Sequence, residues 1–139
     1  MKNRYFQLLE QRPSGDLLPL GEVIENLVFN DQGLIPVITQ DATSKDVLMM
    51  AWMNLSALKK TLATGRMTYW SRSRNAFWVK GESSGHTQAL VQISFDCDGD
   101  AILCQVNQQG AACHTGRANC FYLKVDGHNQ HVQVIGDSA

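Results

Sequence analysis

The stretch LIPVITQDATSKDVLMMAWMNLSALKKTLATG, residues 34–65, decides the fold class. Two apolar runs, 34–40 and 47–53, flank the turn-rich segment DATSKD, 41–46. That pattern predicts a β-hairpin. Asn54 stands where a helix cap belongs, Leu55, Leu58 and Leu62 recur at helical spacing, and Gly65 stands at the C-terminal cap position. This is the clearest helix in the chain. Working outward, short strands are expected at 67–71 and 77–80. Residues 87–95 alternate, with Ala89, Val91, Ile93 and Phe95 on one face and Gln88, Gln92 and Ser94 on the other. Further strands are expected at 101–106, 121–125 and 131–135, the last two joined by a turn at Asp126-Gly127. On the N-terminal side, Leu20, Ile24, Leu27 and Val28 have helical spacing, so 1–32 reads as an extension with one short helix packing on a main domain at 33–139. The result is a β-rich α+β chain with one clear central helix and a short N-terminal one. Strands do not alternate with long helices, which argues against a doubly wound sheet.

At 139 residues, 44% hydrophobic and 18% charged, with 3 Pro and 11 Gly, the chain is neither disordered nor collagen-like. Twelve Lys and Arg against 13 Asp and Glu leave a formal charge of −1. A protein that coats nucleic acid or an anionic membrane is usually basic. The longest wholly apolar run, VLMMAWM, is far too short to span a bilayer. The N-terminus has no apolar segment behind its charges, so a cytoplasmic location is expected. In that compartment the four cysteines are thiols or metal ligands rather than disulfides.

The densest chemical feature is Asp96-Cys97-Asp98-Gly99-Asp100. Three carboxylates this close repel one another unless a cation or protons neutralise them. They are hard oxygen ligands, suited to Mg²⁺ or Ca²⁺, and the plain alternative is a solvated acidic turn. An EF-hand loop is excluded, since Gly99 comes too early and Asn107 stands where the loop's last Glu belongs. If the segment is extended, the three aspartates face one side and Cys97 the other, which would set two metal sites back to back. The second feature is Cys113-His114-Thr115-Gly116-Arg117-Ala118-Asn119-Cys120. Its spacing is not that of a zinc finger, and its cysteines could simply be small buried residues. Cys97, Cys113 and Cys120, all in polar, Gly-containing segments, nevertheless offer three thiolate ligands. Three ligands with an open fourth position describe a catalytic zinc. His114 could complete the coordination or act as a general base. Cys104, within AILC, reads as core.

The third feature is basic and aromatic. Between Gly65 and Gly81 lie Arg66, Arg72, Arg74 and Lys80 without an acid, interleaved with Tyr69, Trp70, Phe77 and Trp78. Ser71-Arg72-Ser73-Arg74 offers hydroxyls and guanidiniums to phosphate oxygens, and the aromatics could stack on a base. The alternatives are a hairpin with its rings in the core, or a zinc-stabilised module that binds single-stranded nucleic acid. The loop KGESSGH, 80–86, lets backbone N–H groups approach an anion. His86 ends it, as a ligand, a base or a plain loop residue. His128 and His131 flank the last turn and receive no role.

Taken in order, GLIPVITQD (33–41), VLMMAWMN (47–54), ALKKTLATGRMTYWSRSR (57–74), WVKGESSGHTQ (78–88), DCDGD (96–100) and GAACHTGRANCFY (110–122) resemble the phosphoribosyl-AMP cyclohydrolase family of histidine biosynthesis. One departure is Ala111, where the family often has Pro. The resemblance implies a small mixed-sheet pseudobarrel. It implies hydrolytic opening of the adenine ring of N1-(5-phosphoribosyl)-AMP at the N1–C6 bond. It further implies zinc on Cys97, Cys113 and Cys120, magnesium on Asp96, Asp98 and Asp100, and a homodimer whose zinc ligands come from both subunits.

Attack at C6 of an adenine needs a strong nucleophile at neutral pH, which a zinc-held water supplies. Proton transfer falls to His114 first and His86 second. Arg72, Arg74, Lys80 and Arg117 are the candidates for the two phosphates, with Trp78, Glu82 and Ser84 completing the substrate-binding set. A small-molecule nucleotide is thus the expected partner, with neither nucleic acid nor membrane. A related zinc hydrolase acting on another purine derivative is the nearest alternative.

Overall fold

The computed structural model describes residues 4–138; Met1, Lys2, Asn3 and Ala139 lie outside it. Eleven elements follow one another: α1 (Arg4–Leu9), α2 (Leu20–Glu25), β1 (Ile35–Asp41), β2 (Val47–Met53), α3 (Leu55–Thr64), β3 (Thr68–Ser71), β4 (Ala76–Val79), β5 (Gln88–Phe95), β6 (Ile102–Gln108), β7 (Leu123–Asp126) and β8 (His131–Val134). The fold is α+β, with an open four-stranded mixed sheet in the order β2-β1-β6-β5 and two separate two-stranded ribbons, β3-β4 and β7-β8. β1 runs antiparallel to β2 and parallel to β6.

Local chemistry sets the element ends. Asp41 Oδ2 accepts from the backbone N–H groups of Thr43 and Ser44, and this folds the β1–β2 turn. Asn54 Oδ1 accepts from the Ala57 N–H at 2.8 Å, capping α3. Gly65 ends that helix in the left-handed region, with its N–H on the Thr61 carbonyl at 2.9 Å. The helix does not bury the face its leucines suggest. Ala57, Leu58 and Thr61 are buried, whereas Leu55 and Leu62 are exposed. Thr61 explains the rotation. Its hydroxyl contacts the Ala57 and Thr68 carbonyls and accepts from the Thr68 N–H, tying α3 to β3.

The expected alternation on β5 holds only for its second half. A bulge between Leu90 and Gln92 resets the register, so Ile93 and Phe95 pack on the core while Val91 is exposed. Gln88, expected on the polar face, is fully buried. Its Oε1 accepts from the Tyr69 hydroxyl at 2.6 Å, and its Nε2 donates to Gln108 Oε1 at 2.8 Å. The Tyr69 oxygen also lies 2.7 Å from Thr39 Oγ1. A phenol has one proton, already given to Gln88, so Thr39 donates. This buried chain links β1, β3, β5 and β6.

The N-terminal segment joins the same core through Phe6, Val23 and Leu27. The second helix was legible in the sequence; α1, six residues long, is too short for its period to be read. Phe6 lies directly over Gly99 of the acidic turn, so close that a Cβ there would fall 2.1 Å from its ring. Gly99 has φ +70°, so glycine is required on both counts. Among the described residues no helix is long and apolar enough to cross a membrane.

Candidate active site

The cysteine loop 109–122 leaves the end of β6 and folds back on β2, the edge strand, where the Cys120 N–H donates to the Leu48 carbonyl at 2.7 Å. Within the loop the Cys113 N–H meets the Arg117 carbonyl, and the Thr115 hydroxyl donates to Cys113 Sγ at 3.1 Å. The Cys113 and Cys120 thiols are close enough for each to shift the other's ionisation. Burial opposes ionisation of Cys113. The Thr115 hydroxyl and N–H, Cys120 and the Arg117 charge together outweigh it and lower the thiol below its ordinary value. Cys120 is pushed up to about 11, first by burial and then by Cys113, with Lys80 opposing. One thiol of the pair is therefore primed to ionise ahead of the other. Cys104 is a core residue, as expected; burial raises it to about 12.

Other sequence candidates gather at this end. The Lys80 ammonium donates to the Ala112 carbonyl at 2.6 Å, one residue before Cys113. The KGESSGH loop turns sharply at Gly81 (φ +82°), where a Cβ would overlap the His86 backbone. That turn brings the His86 ring against Gly110, at the root of the cysteine loop. Ser84 Oγ accepts from the His86 N–H, and Glu82 is exposed on the same loop. His114 is exposed beside Cys113. Arg117 stacks on the Tyr122 ring at 4.1 Å and donates to the Gly136 carbonyl.

Next to this end lies a cleft of about 830 Å³, walled by Met50 and Trp52 of β2, Trp70 and Trp78 of the β3–β4 ribbon and the Ser71–Ser73 turn. Its size suits a nucleotide. The Arg72 guanidinium lies 4.9 Å from the Trp52 ring, and Arg74 approaches Ser71 Oγ on the same turn. Tyr69 is the core ring of the ribbon, and Trp78 packs on it at 4.8 Å. Lys80, 5.9 Å from the Trp78 ring, connects the cleft to the cysteine loop. Arg72 and Trp78 thus share one cavity; Arg117 lines a different one. Trp52 was missed by the sequence reading. It sits in a run that reads as uniformly buried, but the strand's alternation puts it on the face where the cleft opens.

The acidic segment is at the far corner of the sheet, between β5 and β6. It is a tight turn rather than extended: the Gly99 N–H meets the Asp96 carbonyl, and Asp96 Oδ1 accepts from the Asp100 N–H. The expected alternation of oxygen and sulfur faces is therefore absent. The Asp100 carboxyl is raised, first by its hydrogen bond with Asp96, then by burial and the charges of Asp96 and Asp98. Such mutual repulsion is what a bound cation relieves. Cys97, exposed on this turn, is separated from Cys120 by the widths of β6 and β1 and several residues of strand, on the order of 15 Å or more. Among the described residues no three His, Cys, Asp or Glu side chains of one chain converge on a common metal position.

A family model described as Phosphoribosyl-AMP cyclohydrolase matches residues 49–122, the span holding the thiol pair, both histidines and the acidic turn. The chain belongs to the phosphoribosyl-AMP cyclohydrolase family. Curated relatives carrying that name agree with it. The protein from Alcanivorax borkumensis is 55% identical over 124 residues, 89% of this chain and 87% of its own length. That from Roseobacter denitrificans is 57% identical over 114 residues, covering 81% and 89%. That from Dinoroseobacter shibae is 63% identical over 100 residues, covering 72% and 84%. As a cyclohydrolase family member the chain is an enzyme, a hydrolase of histidine biosynthesis.

Proposed function

We propose that the enzyme opens the adenine ring of N1-(5-phosphoribosyl)-AMP at the N1–C6 bond, with zinc held by Cys97 of one copy and by Cys113 and Cys120 of another. The observation that carries this reading is the loop of Cys113 and Cys120, folded on β2 and linked through Lys80 to a nucleotide-sized cleft. The donor set fits zinc: two adjacent thiols, one of them with a lowered pKa, leave room for a third. The chemistry zinc supplies there is a water acidified toward neutrality, a nucleophile suited to C6. Asp96, Asp98 and Asp100 suit magnesium, a hard cation for hard oxygens.

The chain's own side chains do the rest. Arg72 and Arg74 hold one phosphate at the β3–β4 turn through charge-assisted hydrogen bonds. Trp52 and Trp78 flank the base and exclude water from it. His114, exposed at the loop surface, accepts the proton of the attacking water and returns it to the departing ring nitrogen. His86 is the second candidate for that transfer. Lys80 holds the cysteine loop through Ala112, a different task from the phosphate contact its charge suggests.

Ring opening changes the ultraviolet spectrum, so turnover of N1-(5-phosphoribosyl)-AMP can be followed directly with and without a zinc chelator. Turnover that chelation abolishes and zinc restores, and that Cys113→Ala loses together with bound zinc, is the expected result. Equal turnover in a zinc-free Cys113→Ala enzyme would overturn the metal assignment.

A further inference from the structure

The acidic turn between β5 and β6 does not hold its shape alone. Its own backbone closes it from within: the Asp96 N–H meets the Ala101 carbonyl, and Asp96 Oδ1 accepts from the Asp100 N–H at 2.9 Å. From without it is gripped by the segment ahead of β1. The Gly99 carbonyl accepts from the Val28 N–H at 2.8 Å. The Phe6 ring, 4% exposed, covers the face of Gly99. A Cβ on Gly99 would fall among Cδ2, Cε2 and Cζ of that ring, so the ring lies directly against backbone. Phe95, the residue before the turn, walls the same groove as Phe6 and Leu9, and that groove reaches Asp96 and Cys97.

This grip bears on the charges of the turn. Asp96, Asp98 and Asp100 fall within five residues and repel one another. A turn free to relax would let the carboxylates splay apart, and an arriving cation would have to offset the cost of gathering them. A turn held in place presents its oxygens already gathered. Helix α1 has six residues and is too short to be stable by itself, so its place depends on the burial of Phe6. Tyr5 meets the Phe6 ring edge to face, with centroids 5.2 Å apart, and further fixes its plane. Both Phe6 and Val28 lie outside the residues 49–122 matched by the family model.

We propose that Phe6 is a positioning residue for the acidic turn: its ring, together with the Val28 N–H, holds the turn in the shape in which Asp96, Asp98 and Asp100 take a hard divalent cation. The inference rests on the reading of the three aspartates as a magnesium site. It gives the N-terminal extension a task, since α1 acts on the site through Gly99 without touching a carboxylate's ligand.

The test is a titration of the full, zinc-loaded chain with Mn²⁺, a hard cation that stands in for magnesium, with free Mn²⁺ counted by electron paramagnetic resonance. Four proteins are compared under conditions where circular dichroism shows each folded: the wild type, Phe6→Ala, Phe6→Leu and Leu58→Ala. Leu58 is fully buried under α3, away from the turn, so its truncation matches the loss of core packing. Phe6→Ala is expected to bind Mn²⁺ about tenfold more weakly or worse, as loss of a supporting contact does at metal sites. Phe6→Leu, which keeps apolar cover over Gly99, should recover most of that loss, and Leu58→Ala should bind as the wild type does. Wild-type affinity in Phe6→Ala overturns the inference and leaves the aspartates as the cation site. An equal loss in Leu58→Ala also overturns it, because the effect is then general loosening. Wild-type Mn²⁺ binding that survives Asp98→Asn overturns the magnesium reading and the inference with it. Should Phe6→Ala not fold, a fluorophenylalanine incorporated at Phe6 replaces it. Its fluorine resonance should shift as Mg²⁺ fills the turn and stop shifting at saturation; a resonance that bound Mg²⁺ leaves unmoved overturns the inference.

Discussion

At the junction of α3, β3 and β5 the buried polar groups find their partners inside the chain. Thr61 bridges α3 and β3, and Thr39, Tyr69, Gln88 and Gln108 form a continuous chain of hydrogen bonds under the sheet. At the C-terminal end the opposite holds. The β7–β8 ribbon turns four apolar residues to solvent, Cys113 and Cys120 lie on one loop, and Cys97 stands across the sheet. The first region is a finished structure; the second is half of one. The difference teaches where to look for function: the junction stabilises the fold, and the open end holds the residues to which we assign the metal, the substrate and the contact with another copy.

The comparison can be broken from the junction side. Gln88→Leu leaves the Tyr69 hydroxyl without its acceptor and Gln108 without its donor. It should destabilise the fold by about 3 kcal/mol, in chelated and zinc-loaded protein alike. A loss seen only with zinc bound would mean the two regions are not independent. Tyr69→Phe removes one oxygen and strands Thr39 and Gln88 together, costing about 2 kcal/mol. Denaturant midpoints at constant m-value measure both.

From the open side, Arg72→Ala should leave the melting temperature unchanged, because the side chain is exposed and its Trp52 contact lies at the cleft mouth. Loss of one charge-assisted phosphate contact should raise KM by roughly tenfold or more with little change in kcat. The smallest effect is expected at Asp41. Its carboxyl is held below its ordinary value, first by the Ser44 N–H. A lowered folded-state pKa adds stability above the unfolded pKa, near 4, and loses it as pH falls through the folded value. Asp41→Asn should therefore flatten the acid limb of the stability curve and change little at neutral pH.

How much of this was legible in the sequence depended on range. Asn54, Gly65 and the Asp41–Asp46 turn set their element ends through contacts only a few residues apart, so the hairpin and α3 were readable. The parallel pairing of β1 with β6 joins residues more than sixty apart, and no local signal carries it. The burial of Gln88 was hidden because its partners lie on other strands, and the bulge at Val91 shifted the alternation that placed it on the polar face. The site divided the same way. The types and neighbours of Cys113, His114, Cys120 and the aspartates pointed to metal chemistry, which remains the proposal made above. That Cys97 sits apart from the other two thiols depends on the order of the strands, and that Trp52 faces the cleft depends on where the β3–β4 ribbon packs.

The central claim is that one working site draws thiols from two copies. Mixing two inactive variants, Cys97→Ala and Cys120→Ala, tests it most directly. Each parent should be inactive alone, since every one of its sites lacks a ligand. After co-refolding with zinc, a mixed dimer holds one intact site, so activity should rise toward about a quarter of the wild-type value. A mixture in which mixed dimers are shown by mass, yet activity stays at the level of either parent, would contradict the account.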